Sequence, residues 1–136
     1  MKLNPDCIRD ILLTVEELST GFNVIYFGKG RLEKFIRLKD YSDDEVLYHL
    51  HQCDLSGFFI KAARTIGGSY SIDDLSPKGH EFLANIRKDT VWSDVKGVAK
   101  KVGTTSLSAL SQIASSVITE LIKAQFGLSG MPPQIM

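Results

Sequence analysis

The sequence predicts an α+β fold, and three features carry the prediction. A capping box at Ser42-Asp43-Asp44-Glu45 opens a helix that Gly57 closes. A Gly67-Gly68 turn joins two strand-like runs, and Ser76-Pro77 opens a further helix. Helix, glycine stop, hairpin and capped helix is the order of a winged-helix domain. A chain of 136 residues can bury one modest core with an appendage. We divide it into a winged-helix-like domain over 1–90, a helical extension over 91–126 and a flexible tail over 127–136.

The first helix starts at Asn4, a good cap, with Pro5 at the first helical position and Asp6 in the first turn. Ile8, Ile11, Leu12, Val15 and Leu18 recur at three- and four-residue spacing and form one apolar face, which Ser19-Thr20-Gly21 ends. Asn23 to Phe27 is rich in β-branched and aromatic residues and reads as a strand. Residues 29–39 are ambiguous: Leu32, Phe35 and Ile36 would share a helix face, whereas Ile36 and Leu38 would share a strand face. After the capping box, Val46, Leu47, Leu50 and Cys53 follow at helical spacing. Phe58 to Ile66 reads as a strand, Gly67-Gly68-Ser69 as a turn and Tyr70 to Ile72 as the returning strand. The helix capped by Ser76 presents Phe82, Leu83, Ile86 and Val91.

Beyond Trp92 a short charged helix over 94–101 is broken at Gly103, and Ser106 caps a long final helix. Within it Leu107, Leu110, Ala114, Val117, Leu121 and Ala124 keep a seven-residue repeat, broadened by Ile113, Ile118 and Ile122. This stripe either folds back on its own chain or pairs with a second copy through Leu107, Leu110, Ala114, Val117 and Leu121. Membrane insertion is disfavoured by Gln112, Glu120, Lys123 and five serines between Ser106 and Ser116.

Composition narrows the class. Hydrophobic content of 43% and charged content of 24% are those of a soluble globular protein. Sixteen basic and sixteen acidic residues cancel, so total charge draws the chain to neither nucleic acid nor an anionic membrane. The first residues hold no apolar signal run, and Cys7 and Cys53 form no spacing pattern, which fits reduced thiols in a cytoplasmic protein.

The quoted residues resemble a known family. Tyr41 to Val46 with Tyr48-His49-Leu50, Ser56-Gly57-Phe58-Phe59-Ile60, Leu75-Ser76-Pro77-Lys78-Gly79-His80-Glu81-Phe82-Leu83, Ile86-Arg87-Lys88-Asp89 and Val91-Trp92 with Lys96 look like the prophage-associated proteins called domain of unknown function 2513. The resemblance covers nearly the whole chain. It implies a winged-helix-like fold and a home in bacteriophages or integrated elements, and it transfers no catalytic residue. It also tips Phe35–Lys39 toward strand.

Charge argues both ways about DNA. A recognition helix reads bases with its amino-terminal residues, which here are Asp43, Asp44 and Glu45, and the helix through Leu55 holds no lysine or arginine. Basic residues lie instead at Lys29, Arg31, Lys34, Arg37 and Lys39, a local charge of +4 after Glu33, and at Lys61 and Arg64 beside the hairpin tip. Those seven form the candidate nucleic-acid surface, against the plainer reading of ordinary solvated cations. His49 and Cys53 stand one helical turn apart, but two ligands do not make a metal site, and a histidine packed at a core edge accounts for them better. No nucleophile-base-acid set appears, Asp43-Asp44 are helix-start charges, and no cofactor motif is present.

The leading expectation is therefore a non-enzymatic phage accessory protein, cytoplasmic and dimeric through its last helix, that binds double-stranded DNA. The alternative is a protein-interaction module on the same scaffold, an adaptor or an inhibitor of a host protein, without DNA contacts.

Overall fold

The computed structural model of the chain describes residues 1–127. From residue 128 onward, the tail expected over 127–136 lies outside the described residues. The chain divides into two compact units, Met1–Leu83 and Ala84–Met136. The described residues carry five helices and short antiparallel strands, an α+β architecture.

In the first unit, α1 (Pro5–Leu18) starts as its cap dictates: the Asn4 side chain accepts from the Asp6 N–H at 3.1 Å. Ile8, Ile11, Leu12 and Val15 are fully buried. Leu18, expected on the same face, is about half exposed, because the helix ends there and the Ser19 N–H donates to the Val15 carbonyl. Strand β1 (Ile25–Phe27) points Ile25 and Phe27 inward and Tyr26 outward.

The segment before the capping box is neither helix nor strand. It is a ladder of turns in which the N–H groups of Phe35, Leu38 and Tyr41 donate to the carbonyls of Leu32, Phe35 and Leu38, at 3.1, 2.9 and 3.1 Å. A three-residue step buries Leu32, Phe35 and Leu38 and leaves Ile36 80% exposed. The strand expected over Phe35–Lys39 is thereby corrected: the apolar period is three, which neither regular element shares.

Helix α2 (Asp43–Leu55) is capped by Ser42, whose hydroxyl accepts from the Glu45 N–H. The Glu45 carboxylate accepts from the Asn4 side chain at 3.2 Å rather than reaching back to Ser42. Val46, Leu47, Leu50 and Cys53 are buried. Gly57, at φ +79°, ends the helix, with the Phe58 N–H donating to Cys53 and the Gly57 N–H to Asp54, both at 3.0 Å.

The strand expected over Phe58–Ile66 is broken in two, β2 (Phe59–Ile60) and β3 (Ala63–Arg64). The break falls at Lys61, whose φ of 51° takes it out of the ladder. Their partners are β5 (Asp74–Leu75) and β4 (Tyr70–Ile72). Phe59↔Leu75, Ile60↔Asp74, Ala63↔Ser71 and Arg64↔Tyr70 belong to one register, so the hairpin runs through the break without slipping. Strand β1 adds to β4, giving the order β1-β4-β3 beside the β2-β5 pair.

Helix α3 (Pro77–Ile86) is capped by Ser76, which accepts from the Gly79 N–H at 3.0 Å and donates to the Gly57 carbonyl. Phe82 stacks on Phe58 with centroids 5.2 Å apart. The core gathers Ile8, Phe27, Leu38, Leu50, Phe58, Tyr70 and Leu75, each worth about 1.5–3 kcal/mol on burial.

In the second unit, Val91 belongs to the next helix rather than to the face headed by Phe82, because α3 stops at Ile86 and α4 (Asp89–Val102) starts after Lys88. Gly103, at φ +84°, closes α4. Ser106 caps α5 (Leu107–Gln125) by accepting from the Ala109 N–H, and α4 packs on α5. Val91, Trp92, Val95 and Ala99 are buried in α4, and Leu107, Leu110 and Ala114 in α5. No helix among the described residues is long and apolar enough to cross a membrane.

Candidate interaction site

The first unit carries a cleft of about 730 Å³. Its walls are the last turns of α1 (Thr14, Glu17, Leu18), the β1 segment from Asn23 to Tyr26, and the turn ladder from Lys34 to Arg37. Leu18, Val24, Tyr26 and Ile36 face it with 46, 59, 47 and 80% of their surface exposed, and Phe22 stands nearby in sequence at 94%. Apolar side chains exposed together along one concavity often mark an interaction site.

Three local choices create this surface. Strand alternation that buries Ile25 and Phe27 pushes Val24 and Tyr26 outward. The three-residue step of the ladder, with Phe27 and Phe35 ring centroids 4.8 Å apart beneath it, turns Ile36 out. Ending α1 at Leu18 leaves that side chain beyond the core.

The candidate nucleic-acid residues are dispersed. Lys34 and Arg37 both line the cleft. Arg37 donates twice to the Glu17 carboxylate, at 2.5 and 3.4 Å, and this bond holds its proton more firmly than usual. Lys34 has no carboxylate partner among the described residues, and its ammonium lies 5.2 Å from the Phe35 ring centre. Lys29 pairs with Asp44 at 3.4 Å, while the Gly30 N–H donates to Asp43. Arg31, Lys39, Lys61 and Arg64 are exposed, the last two on the hairpin. The +4 segment is therefore partly answered by Glu17 and Asp44, from other elements.

Arg64 also joins a polar chain between the hairpin and α2. Its guanidinium lies 3.3 Å from His51 Nε2, His51 Nδ1 meets the Tyr70 hydroxyl, and that hydroxyl donates to Asp54 at 3.4 Å. One proton arrangement satisfies every member: Arg64 donates to Nε2, Nδ1–H donates to Tyr70, and Tyr70 donates to Asp54. Burial, reinforced by the Asp54 charge, pushes the Tyr70 phenol up to about 12.

The remaining singled-out groups are structural in their contacts. His49 is fully buried; it accepts the Asn4 N–H at Nε2 and donates from Nδ1 to the Glu45 carbonyl, both at 2.7 Å. Both nitrogens are thus engaged, and no cluster of three or more His, Cys, Asp or Glu among the described residues is placed to hold a metal. Burial raises the thiols of Cys7 and Cys53, which suppresses their nucleophilic form. His80 faces Asp74 at 3.7 Å.

The family model described as "Hypothetical protein (DUF2513)" matches residues 2–106. The chain belongs to the DUF2513 family. Among curated proteins, an uncharacterized protein of Haemophilus influenzae is 31% identical over 129 residues, covering 90% of this chain and 99% of that relative. No solved structure matches. For this DUF2513 chain the structure gives Gly79 a physical role. A methyl group added at Gly79 would overlap the Phe58 carbonyl, so α3 sits on the hairpin only because position 79 has no side chain.

The capping, charge and helix-period motifs of the sequence do not point to the apolar cleft. Its signal was there in Val24 and Tyr26, the two apolar residues of the β1 segment on the face opposite Ile25 and Phe27.

Proposed function

We propose that this chain is a protein-interaction module on a winged-helix-like scaffold, and that it captures a partner polypeptide in the cleft between α1, β1 and the turn ladder. The observation that carries the reading is the group Leu18, Val24, Tyr26 and Ile36, exposed together along one concavity. The order α1, β1, α2, hairpin, α3 supports the scaffold. A setting in a phage or integrated element comes with the family resemblance and forms part of the proposal. Self-association through α5 joins it on the exposed Leu121, Ile122 and Phe126.

A photo-crosslinking residue at Ile36 tests the reading in cells of the native host. Specific adducts from position 36, absent when the same group is placed at exposed Glu81 and lost on Val24→Asp, support it. Equal labelling from both positions would overturn it.

DNA binding is the second reading, favoured by Arg31, Lys39 and Lys61, which show no carboxylate partner among the described residues. Against it stand the three carboxylates that begin α2 and the engagement of Lys29, Arg37 and Arg64 within the chain. Fluorescence anisotropy of a labelled random duplex at low and physiological salt separates the two. Steeply salt-dependent binding, lost on Lys39→Glu with Lys61→Glu, would move DNA to first place.

A further inference from the structure

We infer that the occupant of the cleft is an extended, acidic segment of a partner protein that adds as a strand to the free edge of β1; this rests on the interaction reading above. Among the described residues strand β1 pairs on one side only, with β4, and ends the order β1-β4-β3. The cleft lies along its other side: outward Val24 and Tyr26 and inward Ile25 all line it, which happens where a wall is the strand's edge rather than either face.

An open edge offers main-chain N–H and C=O groups to a fourth strand, and an added strand drops alternate side chains toward pockets beside it. Here the neighbouring surface is supplied by Leu18 and Ile36, so alternate residues of the incoming segment are apolar.

Charge selects the segment further. Among the charged residues lining the cleft, Arg37 and Glu17 satisfy each other, and Lys34 remains with no carboxylate partner among the described residues. A carboxylate on the incoming strand completes that cation. The same charge disfavours a second copy of this edge, because antiparallel pairing of two β1 strands brings like Lys34 charges to one site.

The test selects random eight-residue peptides on the full chain and titrates the enriched ones by fluorescence anisotropy. We expect apolar residues at alternate positions with an aspartate or glutamate among them. N-methylation of the peptide backbone abolishes binding at every second position and is tolerated between, the signature of a ladder. Ile36→Asp weakens binding about tenfold or more, and Lys34→Glu transfers the preference to basic peptides. Both positions are exposed, so the variants keep the fold, which circular dichroism verifies. Peptides that need Ile36 but ignore backbone methylation would overturn strand addition and leave the interaction reading standing. Enrichment of no peptide, or binding indifferent to Ile36→Asp, would overturn both.

Discussion

The backbone N–H of Asn4 donates to the ring of His49, 45 positions along the chain, at 2.7 Å. The ring turns its other nitrogen to the Glu45 carbonyl, and the Glu45 carboxylate receives the Asn4 side chain. One residue thus caps α1 and fastens it to the start of α2. Removing the ring leaves a half-buried N–H without its acceptor. His49→Leu should cost about 1–3 kcal/mol, and Asn4→Ala about 1 kcal/mol from the cap alone. Urea unfolding measures both, and an unchanged midpoint for His49→Leu would show that water replaces the imidazole.

Gly79 gives an opposite sign to the one helix propensity suggests. Alanine in a helix is normally better than glycine by about 1 kcal/mol. At position 79 the added methyl meets the Phe58 backbone, which is held by the Ser76 N–H and cannot easily withdraw. Gly79→Ala should therefore destabilise by about 1–3 kcal/mol. Gly97, with open space around it in α4, is the control: Gly97→Ala should be neutral or stabilising.

Asp10 predicts a pH dependence. Desolvation raises its carboxyl above the ordinary value; the hydrogen bond from Tyr41 and the charges of Arg37 and Arg9 pull it back in part, and Asp6 adds to the rise. Between the unfolded and the folded value the native state holds more protons than the unfolded one. Stability contributed here is present below the unfolded value and declines as pH rises through the folded value. Asp10→Asn keeps an acceptor for Tyr41 and should flatten this decline. Unfolding midpoints across the acid range, wild type against variant, check the slope.

The last helix divides into a used half and an unused half. Leu107, Leu110 and Ala114 are buried, whereas Leu121, Ile122 and Phe126 are exposed. Leu110→Asp should disrupt the unit and lower helix content. Leu121→Asp with Ile122→Asp should leave helix content intact and give a monomer by sedimentation equilibrium. An unchanged oligomeric mass in the double variant would remove α5 as a pairing surface.

The sequence by itself determined those helix ends that carry a side-chain cap or a glycine stop; the start of α4, where Lys88 offers no side-chain cap, and the break of the hairpin at Lys61 were not among them. Asn4, Ser42, Gly57, Ser76, Gly103 and Ser106 act on backbone groups within a few residues, so their effect is local and legible in order. It also determined the apolar faces of α1 and α2, whose period is regular. Tertiary structure alone decided the turn ladder, because the three-residue step of Leu32, Phe35 and Leu38 is imposed by packing, with Phe35 drawn against Phe27. It decided as well which cations stay unpaired. Arg37 finds Glu17 across 20 residues and Lys29 finds Asp44 from α2, so of the cations in this run only Lys34 lines the apolar cleft without a carboxylate partner among the described residues. Coulomb partners depend on distance in space, and spacing along a chain does not contain that distance.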